Sequence, residues 1–202
     1  MSIFSIVTQT DLPDHSGVTI MRFRRTAFTA ATVAAIAIPV SIGAPMASAA
    51  SPSVKEVTIT YNVSAAPTYA SVIREGVSHW GALHNVRFSE SSGGAMLNYH
   101  EGNFQQGSYY TGNGHGNGDI YIDNRQAQQF DQTRITAHET GHDLGLPDDY
   151  QGPCSELMSG GGPGPSCTNS YPNQQELAQA DANFANGITN GARDRKIVVV
   201  GF

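Results

Sequence analysis

The order of apolar and polar positions divides the chain into short alternating segments and longer stretches of helical period. Residues 56–63, EVTITYNV, alternate β-branched and polar side chains, which predicts a strand with one buried face. Ala65-Ala66-Pro67 then opens a helix. Its apolar residues, Val72, Ile73, Val77, Trp80 and Leu83, recur at helical spacing, and Gly76 is the weak point of that pattern. Residues 86–89 and 95–99 read as short strands around Ser91-Ser92-Gly93-Gly94, and 107–111 (GSYYT) as a short polar one. After the glycine-rich TGNGHGNGD, residues 119–123 (DIYID) alternate again, with Ile120 and Ile122 facing inward. A helix follows over 133–144, then a long Gly/Pro/Ser loop over 145–172. Asn173-x-x-Glu176 has the form of a capping box and starts a last helix that runs to residue 185. The order β-α-β-β-β-β-α-loop-α predicts an α+β domain without internal repeats.

Both ends of the chain depart from this pattern. From Met21 it reads MRFRRTAFTAATVAAIAIPVSIGAPMASAA: a positive start at Arg22, Arg24 and Arg25, an apolar run, and the small-x-small Ala47-Ser48-Ala49. That is the form of a secretory signal peptide over 21–49. A transmembrane anchor is the rival reading, disfavoured by Pro39 and the abundance of small residues. Residues 1–20 match no targeting pattern and are expected to be a spurious extension, with translation starting at Met21. The export route stays open, since Arg24-Arg25 also evokes a twin-arginine signal. The remaining 50–187 are expected to form one domain, long enough for its own core. Residues 188–202 carry Arg193, Arg195 and Lys196 ahead of IVVVGF, and read as an extra strand or a disordered extension of unknown role.

Net charge is −6 over 202 residues, and the body of the chain has no Lys/Arg cluster. Nucleic acid is therefore not an expected partner. There are two cysteines, Cys154 and Cys167. In an exported chain such a pair usually forms a disulfide; a zinc role is the alternative, though no second Cys/His pair lies nearby.

The strongest chemistry lies in AHETGHDLGLPDD, residues 137–149. His138 and His142 are four apart on a predicted helix, so both imidazoles leave one face and their nitrogens can share a metal ion. Glu139 lies about 100° further round, where its carboxylate can reach a metal-held water without binding the metal. Gly145 permits the sharp turn that a third ligand so close in sequence requires, and Pro147 blocks further helix. Asp148 then arrives where that ligand is needed. A plain helix cap and polar turn would explain Gly145 and Pro147 but not the position of Asp148. Asp149 is expected to point away.

HETGHDLGLPD resembles the metzincin metalloprotease signature, H-E-x-x-H-x-x-G-x-x-H/D. Together with YQGPCSELMSGGGPGPSC, residues 150–167, it is similar to the snapalysin family of small secreted bacterial neutral proteases, over about residues 57–187. The resemblance implies a metzincin-like zincin fold, a mixed twisted sheet packed on the active-site helix. It implies zinc on His138, His142 and Asp148, with Glu139 as the catalytic acid/base assisting attack by zinc-bound water on a peptide bond. Met158 would be the methionine of a Met-turn beneath the ligands, and Cys154 and Cys167 would close a disulfide around it. It also implies a calcium ion at the start of the active-site helix, on Asp131 and Thr133, although either residue would serve equally as a helix cap. A preference for an aromatic residue after the cleaved bond would follow.

Some metzincins place a tyrosine two residues after the Met-turn methionine; here that position is Gly160, and Tyr150 is the candidate substitute as oxyanion helper. His115, in the glycine-rich loop, reads as a loop residue rather than a ligand. The expected protein is a secreted monomeric endopeptidase acting on proteins or peptides, with no stable membrane association. Substrate would lie extended along an edge strand at 107–111. Two rivals stand beside it. One is a zincin whose third ligand is a later glutamate, Glu176. The other is a non-enzymatic secreted metal-binding or inhibitor-like module, which would have no need of Glu139.

Overall fold

A computed structural model describes residues 56–188, 197–199 and 202. The expected extension over 1–20 and signal peptide over 21–49 lie outside the described residues, as do 189–196 of the tail. The elements are β1 (Val57–Ala65), α1 (Ala70–Ser78), β2 (Val86–Glu90), β3 (Leu97–Gly102), β4 (Tyr109–Gly112), β5 (Gly118–Asp123), α2 (Gln132–Asp143), α3 (Gln174–Asn183) and β6 (Ile197–Val199). Two single 3₁₀ turns, Gln126–Gln128 and Leu157–Ser159, flank α2 in sequence. This is the predicted α+β order with one strand added. Among the described residues no helix is long and apolar enough to cross a membrane.

The boundaries shift for local reasons. The first helix starts at Ala70 rather than near Pro67. Ala66 N donates to Val63 O and Tyr69 N to Ala66 O, forming tight turns, and a residue preceding proline resists α geometry. In β1 the alternation is as read: Ile59, Tyr61 and Val63 are buried while Thr58 is exposed. Ile120 and Ile122 of β5 are buried as expected.

The sheet order is β2-β1-β3-β5-β4-β6. β1 runs parallel to β2 and β3, and β3 parallel to β5, while β4 is antiparallel to both β5 and β6. Among the described residues of the tail, Ile197–Val199 form a strand, one of its two expected forms. It also changes the place of β4, which is covered by β6 instead of lying at the sheet edge as the sequence led us to expect.

Helices α1 and α2 cross closely and pack on the sheet, α2 against β4 and β5. Gly76 is what lets them approach: a Cβ there would stand 2.4 Å from Thr136 Oγ1 and 2.8 Å from Ala137 N. The residue that weakens α1 as an isolated helix is thus required by its contact. Trp80 Nε1 donates to Ala137 O at 3.0 Å, and Tyr99 of β3 meets Thr140 Oγ1 at 2.8 Å. Every residue of α2 from Arg134 to Asp143 is buried, although the helix is mostly polar.

Candidate metal centre

Asp131 caps α2, its Oδ1 accepting from Arg134 N at 2.8 Å. At the other end the chain turns as Gly145 predicts. Gly145 has φ 81°, its N–H donates to His142 O, and Leu146 N–H reaches back to Gly141 O. This is a Schellman ending. A side chain at 145 would also meet Gly114 O at 2.7 Å. The turn brings Asp148 over the helix face that carries the two histidines.

His138 Nε2 and His142 Nε2 are 3.2 Å apart, and Asp148 Oδ1 lies 3.1 Å from the first and 3.3 Å from the second. The other nitrogens face away: His138 Nδ1 lies 3.0 Å from Leu157 O and His142 Nδ1 2.8 Å from Leu146 O. A carbonyl only accepts, so both rings carry hydrogen on Nδ1. The Nε2 lone pairs then converge on each other and on a carboxylate oxygen that has no donor of its own. Three facing acceptors need a positive charge between them, a proton or a metal ion. A triangle of these sides has its centre about 1.9 Å from each corner, close to the roughly 2.0–2.2 Å of Zn–N and Zn–O bonds. The donor set fits such an ion without rearrangement. This is the sole His/Cys/Asp/Glu group with metal-binding spacing among the described residues.

Electrostatics agree with that use. Burial lowers the pKa of His138 and keeps its imidazole neutral, as a ligand must be. Burial opposes ionisation of Asp148; its carboxyl is held below its usual range only while a positive charge, a proton on an Nε2 or a metal ion, lies between it and the two imidazoles. Glu139 is wholly buried with neither carboxylate oxygen bonded to another residue, and burial, reinforced by Asp148, pushes its pKa well up.

Met158 lies in the 3₁₀ turn Leu157–Ser159, buried, with its sulfur against Gly141 on the underside of α2. Cys154 and Cys167 form a disulfide around that turn, with Cα atoms 5.6 Å apart. Closing a loop of this length stabilises by roughly 3 kcal/mol in the chain-entropy model. Tyr150 hydrogen-bonds Asp148, and its ring lies 3.4 Å from where a Cβ on Gly160 would stand. Asp149 is exposed, as expected, while its N–H ties to Met158 O at 2.8 Å.

Other candidates are placed elsewhere. Glu176 is not in the cluster: Oε1 accepts from Met158 N, joining α3 to the turn, and Oε2 from Asn173 N, closing the helix's own capping box, so both oxygens are committed. The zincin with Glu176 as third ligand is thereby set aside. Thr133 donates to Glu75 Oε2 at 3.4 Å and Asp131 caps α2, contacts that a helix start explains without calcium. His115 stacks on Phe184 with centroids 4.2 Å apart and bonds Gly187 O, a structural role consistent with its reading as a loop residue.

Arg134 escaped the sequence reading. It is wholly buried on α2 and donates to Gly160 O, Glu156 O, Ser159 Oγ and Asn169 O. The signal was available: a cation in the first turn of a helix, where the dipole disfavours one. The carbonyls of Leu146 and Leu157 left no signal, because any residue supplies one.

The family of Streptomyces extracellular neutral proteinases (M7) matches residues 56–187. The chain belongs to this family. It is 55% identical to the extracellular small neutral protease of Streptomyces sp. (strain C5) over 133 residues, 65% of this chain and 58% of that protein. The protein of the same name from Streptomyces coelicolor is 52% identical over 147 residues, 72% of this chain and 68% of that protein. That from Streptomyces caespitosus is 55% identical over 132 residues, 65% of this chain and 99% of that protein. The matched region thus spans somewhat over half of the Streptomyces sp. (strain C5) and Streptomyces lividans proteins, at 58% and 59%, and nearly all of the Streptomyces caespitosus one. The membership covers both histidines, Glu139, Asp148, the Met158 turn and the disulfide, and it stops before β6.

Proposed function

We propose that this member of the family is a secreted zinc metalloendopeptidase. One observation carries the reading: Nε2 of His138, Nε2 of His142 and Oδ1 of Asp148 converge within 3.1–3.3 Å while both Nδ1 atoms are turned to carbonyls. The names of the relatives supply the rest, each being called an extracellular protease. The signal-like residues 21–49 agree with export.

His138, His142 and Asp148 would hold the ion, leaving one face of the site open. Zinc bound there would supply a Lewis acid for the scissile carbonyl and would acidify water. Glu139 provides the proton chemistry. Its buried carboxylate, raised in pKa, is a stronger base than an exposed one and can take a proton and pass it to the leaving amine. Tyr150 is our candidate oxyanion helper; its single O–H, shared with Asp148, would have to turn to the substrate oxygen to donate there. Proteins or peptides are the substrates, with an aromatic residue favoured after the cleaved bond.

The non-enzymatic metal-binding module is disfavoured by Glu139. A buried carboxylate with no residue partner destabilises the fold, so a module that only bound metal would gain from losing it. The test is one preparation assayed for bound zinc by mass spectrometry and for casein hydrolysis, with and without a zinc-selective chelator. Glu139→Gln should keep zinc and lose at least about 10²-fold in activity. A variant retaining zinc and most of its activity would refute the assignment of Glu139; parent protein with zinc and no hydrolysis would restore the binding module.

A further inference from the structure

The tail beyond residue 187 lies outside the family match, yet it reaches the metal centre. β6 pairs antiparallel with β4, Ile197 opposite Gly112, Val198 opposite Thr111 and Val199 opposite Tyr110. It thereby takes the one side of β4 that β5 leaves free. Phe202 then stands beside the ligands. Its ring lies edge-on to His138 with centroids 5.4 Å apart, and edge-on to Phe130 at 5.1 Å. Its Cα is 3.4 Å from the point where a Cβ on Gly160 would stand, so glycine at 160 leaves it room. Gln126 Nε2 donates to Phe202 O at 2.5 Å, and Gln126 Oε1 accepts from Ser108 N at 2.5 Å. One side chain thus links the approach to β4 with the last contact of the tail.

We propose that the strand 197–199 and Phe202 occupy the peptide groove of their own chain and restrain it, so that β4 and the recess of Phe130, His138, Gly160 and Gly161 bind either this segment or substrate. The proposal rests on the protease reading, and it adds the regulation of that site. Strand addition to a sheet edge is how an extended peptide is held by main-chain bonds, with pockets reading the side chains. The segment has both parts: a β-branched run, Ile197-Val198-Val199, and an aromatic residue at 202. A tethered occupant acts at an effective concentration of order millimolar, so even weak pairing keeps the groove filled. Substrate must displace it, which raises the apparent KM and leaves kcat unchanged.

The experiment uses the full chain. Adjacent residues of an antiparallel strand alternate in bonding a given neighbour, so Val198→Pro with Val199→Pro removes the ladder donor whichever residue carries it. Phe202→Ala empties the recess. On an internally quenched peptide both variants should show a KM at least about tenfold lower than the parent with kcat held. The hexapeptide IVVVGF should inhibit the double-proline variant competitively. In a Glu139→Gln background, polarisation of labelled IVVVGF should show binding to the double-proline variant and little to the parent. Equal KM in parent and variants, or equal peptide binding in both, overturns the proposal and leaves the protease reading intact. Selective peptide binding with no hydrolysis by any form overturns the protease reading and keeps the groove and its occupant.

Discussion

Arg134→Met should be among the most destabilising substitutions outside the ligand set. Methionine preserves much of the buried stem and removes the guanidinium alone. Four acceptors lose a donor: Gly160 O, Asn169 O, Glu156 O and Ser159 Oγ. Glu156 O and Ser159 Oγ keep each other, at 2.7 Å. Gly160 O is buried and, among the described residues, has no other donor; Asn169 O is half-buried and can turn to water. Losing bonds to a charged donor costs about 1.5–3 kcal/mol each, and an orphaned buried carbonyl about 1–3 kcal/mol. Against this, the cation no longer has to be desolvated, a cost already visible in the lowered pKa of the guanidinium. The net should be about 2–4 kcal/mol, a large share of the roughly 5–15 kcal/mol that holds a domain together. Urea unfolding of chelator-treated protein reads this directly. Arg134→Lys, which keeps the charge but cannot span the three carbonyls as a planar fork, should fall between parent and Arg134→Met. A loss below about 1 kcal/mol for Arg134→Met, or a lysine variant worse than the methionine one, would show that the guanidinium does not pin the loop.

Asp148→Ala should lose zinc and activity together, whereas Asp149→Ala, altering an exposed side chain, should leave both nearly intact; zinc content after gel filtration checks this. Asp148→His should retain zinc, since imidazole is an equally acceptable ligand. The buried Asp123 carboxylate gives a pH prediction. Burial alone would raise its pKa, but Arg125 and the N–H groups of Phe104 and Gln126 outweigh it and lower it. A group with a depressed folded pKa contributes stability above its unfolded value, near 3.9, and loses it as pH falls through the folded one. The thermal midpoint should therefore drop below about pH 4, and Asp123→Asn should flatten that slope; an unchanged slope would remove Asp123 from the acid transition.

The sequence carried the local elements and missed the pairings. Alternation in 56–63 and 119–123 and the apolar face of α1 are properties of a few adjacent residues, and each became the element it predicts. That β1 lies between β2 and β3, with β5 beyond β3, is a matter of contacts distant along the chain. The covering of β4 by β6 is of the same kind: IVVVGF reads as a strand, but nothing in it says which edge it joins. The grouping of His138, His142 and Asp148 beside Glu139 was legible because these residues and Gly145 lie within one helix and one turn, where spacing fixes geometry. Glu176 shows the limit: its capping box was read correctly, and its second oxygen, on Met158 N, depends on a loop folding back across 18 positions.

The polar helix α2 makes physical sense only together with that loop. Leu157 O sets the tautomer of His138, Leu146 O that of His142, and Arg134 gathers Glu156, Ser159, Gly160 and Asn169 around the same turn. Glu176 holds Met158 N from α3, and the disulfide closes the ends. Ligand orientation and loop structure are therefore one set of bonds. A hydrogen bond that fixes a metal-binding imidazole also raises its basicity, so the Met158 turn would serve a bound ion without a side chain touching it. This is why the loop of 145–172, rich in Gly, Pro and Ser and regular only in the 3₁₀ turn Leu157–Ser159, can support a precisely placed site. Its order comes from what it grips.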